Sequence, residues 1–258
     1  MADKDAASLL QRAAAAPADA AAAARILPLI DLTSLRGDET AEEIEALCRR
    51  AVEHGVAAVC IHSRHLKLAR PLLEGSLVRL ATVANFPEGS DDIASAADEV
   101  AAAVAEGAAE VDVVVPIEAV LEGDVGLVGE LVEVCRAAAT PDTVLKLILE
   151  TGVLAEPDRI TAAARAAVMA GIDFLKTSTG KREPGATPEA AAVLLAVAGE
   201  AEGRVGFKAS GGIRSVADAA QYLALADEIV GPGFVRPATF RIGASSLLDD
   251  VLRLAGRG

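Results

Sequence analysis

The sequence of 258 residues has few aromatic residues: five Phe, one Tyr and no Trp, or 2% of the chain. A hydrophobic core must therefore be built from Val, Leu, Ile and Ala, which supply most of a hydrophobic fraction of 52%. Cysteine is scarce as well, and Cys48, Cys60 and Cys135 are scattered along the chain. They match neither a disulfide framework nor a Cys-x-x-Cys metal site.

Positive charge is also in short supply, since the formal net charge is -14. This argues against a protein that binds nucleic acids or anionic membranes in general. No apolar run is long enough to span a bilayer, and the MADKDAASLL start has no apolar signal core. We therefore expect a cytoplasmic protein. His54, His62 and His65 are not spaced as metal ligands, so we expect no metal.

Short apolar strands alternate with helical segments along the chain. The predicted strands are ILPLIDLT, AAVCIH, VRLATVANF, EVDVVV, TVLKLILE, DFLKTS, RVGFKAS and DEIVG. The predicted helices cover about 40–53, 64–73, 91–106, 126–138, 157–170, 188–198, 216–225 and 245–254. Eight such units predict an α/β fold, a single (β/α)8 TIM barrel over residues 25–258, with an Ala-rich helix or tail over residues 1–24. A doubly wound open sheet is the alternative.

Lysine occurs only six times against eighteen arginines, yet three lysines lie in apolar strands. These are Lys146, Lys176 and Lys208. Arginine serves at least as well in structural ion pairs, whereas only lysine offers an amine that can lose its proton and attack a carbonyl carbon. The pattern therefore favours an imine-forming site. Buried structural ion pairs with Asp112 and Glu110 are the alternative.

Strand alternation predicts which of these side chains meet, because residues two apart share one face of a strand. If the polar side chains point into the barrel, Lys176, Lys208 and Asp112 converge near its mouth. A neighbouring cation and burial both lower the pKa of an amine. This is what imine formation near pH 7 requires, since an ordinary lysine has a pKa of about 10.4.

Two glycine-containing turns predict a phosphate site, because barrel enzymes often bind phosphate in the loops after strands seven and eight. The turns contain Gly211 and Gly212 in the first case, and Gly243, Ser245 and Ser246 in the second. Glycine lets backbone N–H groups approach an anion. We expect Lys181, Arg214 and Arg241 to add positive charge there. The two serines could instead only cap the last helix.

Eight motifs in order from about Ile30 to Leu248 carry a family resemblance. They are IDLTSL, AVCIH, NFPEGSDD, EVDVVVP, LKLILETG, DFLKTSTGK, GFKASGGIR and FRIGASSLL. The sequence resembles deoxyribose-phosphate aldolase, a class I (Schiff-base) aldolase family of carbon–carbon lyases with a TIM-barrel fold. The resemblance implies reversible cleavage of 2-deoxy-D-ribose 5-phosphate to D-glyceraldehyde 3-phosphate and acetaldehyde, in deoxyribonucleotide catabolism.

The same resemblance implies the roles of individual residues. Lys176 would be the Schiff-base lysine, Lys208 the second lysine that tunes its amine, and Asp112 a member of the proton-transfer group. The implied substrate-binding residues are Asp31, Thr33, Cys60, Lys146, Thr179, Gly180, Lys181, Gly211, Gly212, Arg214, Gly243, Ser245 and Ser246. We expect no cofactor and no metal, a small phosphorylated aldose and acetaldehyde as partners, and a homodimer or a higher homo-oligomer.

Two other functions fit the same residues. A different Schiff-base aldolase, such as a transaldolase-like enzyme, would use the same lysine on another aldehyde. A non-catalytic phosphosugar-binding barrel would use the lysines only in ion pairs. Covalent capture of a carbonyl substrate would separate the second alternative from both aldolases.

Overall fold

Eight parallel strands close into a barrel in their order along the chain, in a computed structural model that describes residues 3–256. The strands are β1 (Ile30–Ser34), β2 (Ala58–Ile61), β3 (Arg79–Ala84), β4 (Glu110–Val114), β5 (Val144–Ile148), β6 (Phe174–Lys176), β7 (Gly206–Ser210) and β8 (Phe240–Ala244). β1 pairs with both β2 and β8, which closes the barrel. The TIM-barrel prediction is confirmed, and the open-sheet alternative is wrong.

Helices surround this barrel and connect its strands. They are α1 (Asp3–Ala14), α2 (Ala20–Ile26), α3 (Ala41–His54), α4 (Leu66–Leu73), α5 (Ile93–Ala105), α6 (Ile117–Leu121), α7 (Gly126–Ala138), α8 (Thr151–Leu154), α9 (Pro157–Met169), α10 (Pro188–Glu200), α11 (Val216–Ile229) and α12 (Leu247–Leu254). Short 3₁₀ turns cover Leu27–Leu29 and Ser63–His65. Local sequence sets several boundaries. Thr40 and Glu43 form a reciprocal capping box at the start of α3, and Gly55 ends that helix at φ 68°.

The predicted eighth strand is wrong. The segment DEIVG, residues 227–231, is the end of α11 and its cap, and the eighth strand is FRIGA instead. Tyr222, Leu223 and Ala226 are buried in α11, so the apolar residues that follow continue a helical face.

The Ala-rich N-terminal segment forms α1 and α2, which pack against α11, and α2 also packs against α12. Leu9 and Ala13 are buried in this contact. Arg12 and Arg25 pair with the carboxylates of Glu228 and Asp227 at 2.5 Å and 2.8 Å. Residues 1–2 of the predicted N-terminal helix or tail and residues 257–258 of the predicted barrel lie outside the described residues.

The interior of the barrel is divided into an apolar part and a charged part. Ala58 and Cys60 of β2 and Ala81 and Val83 of β3 form a small apolar cluster of their own. The outer faces of the strands contribute to the larger core shared with the helices. Charged side chains from β1, β4, β5, β6, β7 and β8 occupy the rest of the interior. The buried charged side chains therefore come from six of the eight strands.

Gly206 is required for this packing because its Cα is paired with that of Phe174 on the neighbouring strand. A Cβ atom at Gly206 would lie 2.5–2.7 Å from three atoms of the Phe174 ring. The ring is buried, and the guanidinium carbon of Arg241 lies 5.9 Å from its centroid. The ring therefore has little room to move away.

We expect Gly206→Ala to lower the free energy of unfolding by about 1–3 kcal/mol, the usual cost of overpacking a filled core. Gly233→Ala is the matched control, because no atom lies within 4 Å of its added Cβ and its φ is not positive. The control should change stability by less than about 0.5 kcal/mol. Thermal or denaturant unfolding measures both variants, and equal stability of the two would contradict this account of the barrel interior.

Candidate active site

A cavity of about 380 Å³ opens at the carboxyl ends of the strands, the end of a TIM barrel at which active sites are built. The loops after β1, β6, β7 and β8 line it. Lys176, the last residue of β6, is 3% exposed and is one of the lining residues. Its amine is therefore buried yet borders the cavity, a position that a nucleophile toward a bound carbonyl compound needs.

Beneath this cavity, six buried side chains form a closed ring in which carboxylates and cations alternate. The Asp112 carboxylate lies 2.8 Å from the Lys146 amine, which lies 2.6 Å from Glu110. Glu110 also contacts the Arg241 guanidinium at 2.9 Å. The ring continues from Arg241 to Asp31 at 2.7 Å, from Asp31 to Lys208 at 2.5 Å, and from Lys208 back to Asp112 at 2.7 Å.

Lys176 is attached to this ring from outside, through a single contact of 2.7 Å between its amine and Asp112 Oδ2. Each of the three ring cations contacts two carboxylates, whereas Lys176 contacts only one. With Lys176 protonated, the seven side chains would hold four positive and three negative charges. Because an unbalanced buried charge is costly, the set favours loss of one proton, and the least paired amine is that of Lys176.

The pKa shifts agree with this assignment. Burial lowers the pKa of the Lys176 amine and the positive charge of Lys208 lowers it further, while the Asp112 carboxylate opposes both. Burial also acts to lower the pKa of Lys208, but the Asp112 and Asp31 carboxylates outweigh it, so that pKa is raised. Two amines that lie next to each other in β6 and β7 are therefore driven toward opposite protonation states.

The carboxylates of the ring remain ionised. Burial acts to raise the pKa of Asp112, but three lysine amines outweigh it and hold that pKa well below its ordinary value. The same balance lowers the pKa of Asp31 and of Glu110. Cys60, buried beside this group, has a raised pKa because of burial. It is therefore kept as a neutral thiol.

One wall of the cavity can accept an anion. Gly180, Gly212 and Ser245 line it, and within residues 3–256 their backbone N–H groups have no hydrogen-bond acceptor. Lys181 and Arg214 line it as well, and neither side chain forms an ion pair with any residue that the structure describes. Free N–H groups beside two cationic side chains are the ordinary composition of a phosphate site.

Most residues predicted for the site line this cavity. They are Lys176, Thr33, Thr179, Gly180, Lys181, Gly211, Gly212, Arg214, Gly243 and Ser245. Lys208, Asp112, Asp31, Lys146 and Cys60 are buried beneath it. Ion pairs with Asp112 and Glu110, the alternative interpretation of the strand lysines, are present at Lys146. Lys146 and Cys60 therefore have no direct access to a ligand in the cavity.

The structure bears on three predictions about the anion-binding loops. Arg241 is not near the cavity wall, because its guanidinium is buried in the ring with Asp31 and Glu110. Ser246 occupies the N-cap of α12 and does not line the cavity, so its contact with a phosphate stays a prediction. Its side chain makes no capping hydrogen bond there, so the capping alternative is wrong as well.

Sequence reasoning missed two contributions to the site. Arg241 as a ring member could have been found from strand alternation, but only if FRIGA had been assigned as a strand. Glu150, at the end of the LKLILE stretch, is 0% exposed and bonds to Thr179. Its sequence position, as the last residue of the predicted strand TVLKLILE, is the only signal that could have indicated it.

No group of three or more His, Cys, Asp or Glu side chains is arranged to hold a metal ion within the part of the chain that the structure describes. Nor does any helix among residues 3–256 have the length and apolar character that a membrane crossing needs.

Comparison with known proteins gives the family. The family model described as DeoC/LacD family aldolase matches residues 25–253. A candidate deoxyribose-phosphate aldolase from Coccidioides immitis, of known crystal structure, is 32% identical. That match covers 92% of this chain and 87% of the other, with a TM-score of 0.81.

Two further solved structures are similar to this chain. The deoxyribose phosphate aldolase from Aeropyrum pernix, which has a tetrameric structure, is 27% identical, with 95% of each chain covered and a TM-score of 0.75. A candidate deoxyribose-phosphate aldolase from Toxoplasma gondii is 24% identical, with 93% and 97% covered and a TM-score of 0.85, and it shows the shared fold. From the family match over residues 25–253, and from the 32% identity over most of both chains, the chain belongs to the DeoC/LacD family of aldolases.

Proposed function

We propose that this aldolase reversibly cleaves 2-deoxy-D-ribose 5-phosphate to D-glyceraldehyde 3-phosphate and acetaldehyde, with Lys176 as the Schiff-base residue. The observation that carries the proposal is the position of Lys176 between a surplus of buried positive charge and an open cavity with an anion-binding wall. The similar proteins from Coccidioides immitis and Aeropyrum pernix, both described as deoxyribose-phosphate aldolases, support the choice of substrate.

The reaction begins when the neutral Lys176 amine attacks the C1 carbonyl carbon of the open-chain sugar. The carbinolamine takes up a proton and loses water, which gives a protonated imine. When the C3 hydroxyl loses its proton, the C2–C3 bond breaks, its electron pair moves into the iminium, and D-glyceraldehyde 3-phosphate leaves. The enamine that remains is protonated at C2, and hydrolysis of the resulting imine releases acetaldehyde and restores the Lys176 amine.

We assign proton transfer to a water molecule held by Asp112 and Lys208, rather than to Asp112 as a free acid. Asp112 accepts hydrogen bonds from three lysine amines, so it has little tendency to bind a proton. The Lys208 ammonium, with its raised pKa, is a fixed donor beside the reacting atoms. Its charge also disfavours protonation of the Lys176 amine before attack. Lys208 thus contributes to both steps.

Covalent labelling tests the nucleophile. Incubation with acetaldehyde and borohydride should leave a stable ethyl group on Lys176, seen by peptide mass spectrometry. Lys176→Arg should keep the positive charge and the fold but lose both labelling and activity, because arginine cannot supply a neutral amine.

Lys67→Arg is the control, since Lys67 is exposed and pairs with Glu106 far from the cavity lining. It should retain both labelling and activity. Labelling at another lysine, or none with active protein, would contradict the assignment and leave the non-catalytic binding barrel as the better description.

Charge removal tests the anion wall. Lys181→Gln should raise KM for 2-deoxyribose 5-phosphate by about tenfold or more, since a hydrogen bond to a charged group contributes about 1.5–3 kcal/mol. Steady-state kinetics should show little change in KM for unphosphorylated deoxyribose. The control Lys67→Gln should leave KM unchanged for both sugars. A similar rise in KM for both sugars would argue against phosphate binding by Lys181.

A substitution of Gly243, which also lines the anion-binding wall, is unsuitable for this test, because an added Cβ would lie 3.1 Å from Lys208 Cε.

The pH–rate profile tests the electrostatic part of the proposal. Lys208→Leu removes a positive charge that lowers the pKa of the Lys176 amine, so that pKa should rise. The rate should then fall at pH 7 and partly recover at higher pH, whereas Lys208→Arg, which keeps the charge, should shift the profile less. An unchanged profile for Lys208→Leu would contradict the account. Because the variant leaves Asp31 and Asp112 each with one cation fewer, its thermal stability should be measured in parallel.

A further inference from the structure

Glu150 is a buried carboxylate that the charged ring does not contain. It lies two residues after the end of β5 and immediately before α8, and its side chain is 0% exposed. Its backbone has φ 46° and ψ 55°, the left-handed region that residues other than glycine rarely adopt. A strained backbone and a buried acid at one position are both unfavourable, so other contacts must hold the residue there.

The hydrogen bonds of the Glu150 side chain all lead to the loop that follows β6. The Thr179 hydroxyl donates to Glu150 Oε2, and the Thr179 backbone nitrogen lies 3.4 Å from both carboxylate oxygens. No cation forms an ion pair with Glu150 within residues 3–256. A buried carboxylate without a paired cation depends on its hydrogen-bond donors, so its geometry is tied to Thr179.

The Thr179 hydroxyl passes this constraint on to the next residues. Because its proton is directed to Glu150, its lone pairs are free to accept, and the Lys181 backbone nitrogen donates to Thr179 Oγ1 at 3.0 Å. Gly180, between them, has φ 76° and an N–H group without an acceptor among the described residues. The three residues Thr179–Lys181 are thereby held in one conformation, which presents Gly180 and Lys181 to the cavity.

The same loop is supported a second time from the Glu150 side. Gly152, in α8, packs so closely on Pro184 that an added Cβ would lie 2.0 Å from the Pro184 carbonyl oxygen. The short segment after β5 therefore contacts the loop at Thr179 and at Pro184. This support fixes the loop relative to β5, and so relative to the charged ring that β5 also carries through Lys146.

We propose that Glu150 is a positioning residue for phosphate recognition: through Thr179 it fixes the loop Thr179–Lys181, so that the Gly180 N–H group and the Lys181 amine face the phosphate of the substrate. The proposal rests on the function proposed above. It assigns Glu150 to substrate selection rather than to the covalent chemistry, because its carboxylate contacts Thr179 and not the Lys176 amine. Burial raises the pKa of the Glu150 carboxyl, which the Thr179 hydrogen bonds oppose.

The test compares phosphorylated and unphosphorylated substrate. Glu150→Ala should raise KM for 2-deoxyribose 5-phosphate by tenfold or more, and change kcat/KM for deoxyribose by less than threefold. Glu150→Gln keeps an oxygen that can accept from Thr179, so its KM should rise less. Thr179→Val removes the hydroxyl from the other side and should reproduce the Glu150→Ala effect. The double variant Glu150→Ala, Thr179→Val should have the same KM as either single variant, because each of the two substitutions removes the same contact.

Glu156→Ala is the matched control, since Glu156 is an exposed acid on the same connection and makes no side-chain capping bond. It should leave both substrates unaffected. Labelling of Lys176 by acetaldehyde and borohydride should be unchanged in Glu150→Gln, because acetaldehyde carries no phosphate.

Equal losses on both sugars in Glu150→Gln and Thr179→Val, or additive effects in the double variant, would overturn the inference and leave a structural role alone. An unchanged KM in Glu150→Ala, Thr179→Val and their double variant would overturn it as well. Failure of the proposed function is distinguishable from either result, because the unaltered protein would then not cleave 2-deoxyribose 5-phosphate.

Discussion

The contact of the Asp112 carboxylate with three lysine amines is the interaction on which the site depends. Lys146, Lys176 and Lys208 come from β5, β6 and β7, so the contact forms only when these strands lie in order beside β4. Two of the lysines continue into a closed ring with Asp31, Glu110 and Arg241, and one does not. A buried set of three carboxylates can neutralise three cations. The fourth cation, on Lys176, is the one that the set does not balance.

This arrangement separates two tasks that the sequence places only five residues apart. Lys176 is enclosed, has a lowered pKa and borders the cavity floor, which suits an amine that must be neutral to react. Lys181 is exposed at the cavity wall beside free N–H groups, which suits binding of an anion. The chain as a whole has a net charge of -14, so a local cluster of cationic side chains and N–H groups is needed to attract a phosphorylated substrate.

Much of this could be predicted from the sequence, because the decisive residues break a local pattern. A lysine in an apolar strand is conspicuous, and strand alternation then brings Lys176, Lys208 and Asp112 together. The barrel followed from the repeated strand–helix units. The eighth strand was not found in the same way, because DEIVG, which continues α11, resembles a short apolar strand. The ring closes only through Arg241 of the true eighth strand. Contacts between distant loops, such as Glu150 with Thr179, leave no periodic signal in the sequence.

The most direct test of the central claim is the apparent pKa of the Lys176 amine in the unaltered protein. It can be measured from the pH dependence of the initial rate at which acetaldehyde and a borohydride reagent label Lys176, followed by peptide mass spectrometry. The account predicts a midpoint below the ordinary lysine value of about 10.4, because the buried set holds one cation more than its carboxylates can neutralise. A midpoint at or above that value would show that Asp112 keeps Lys176 charged, and would contradict the account.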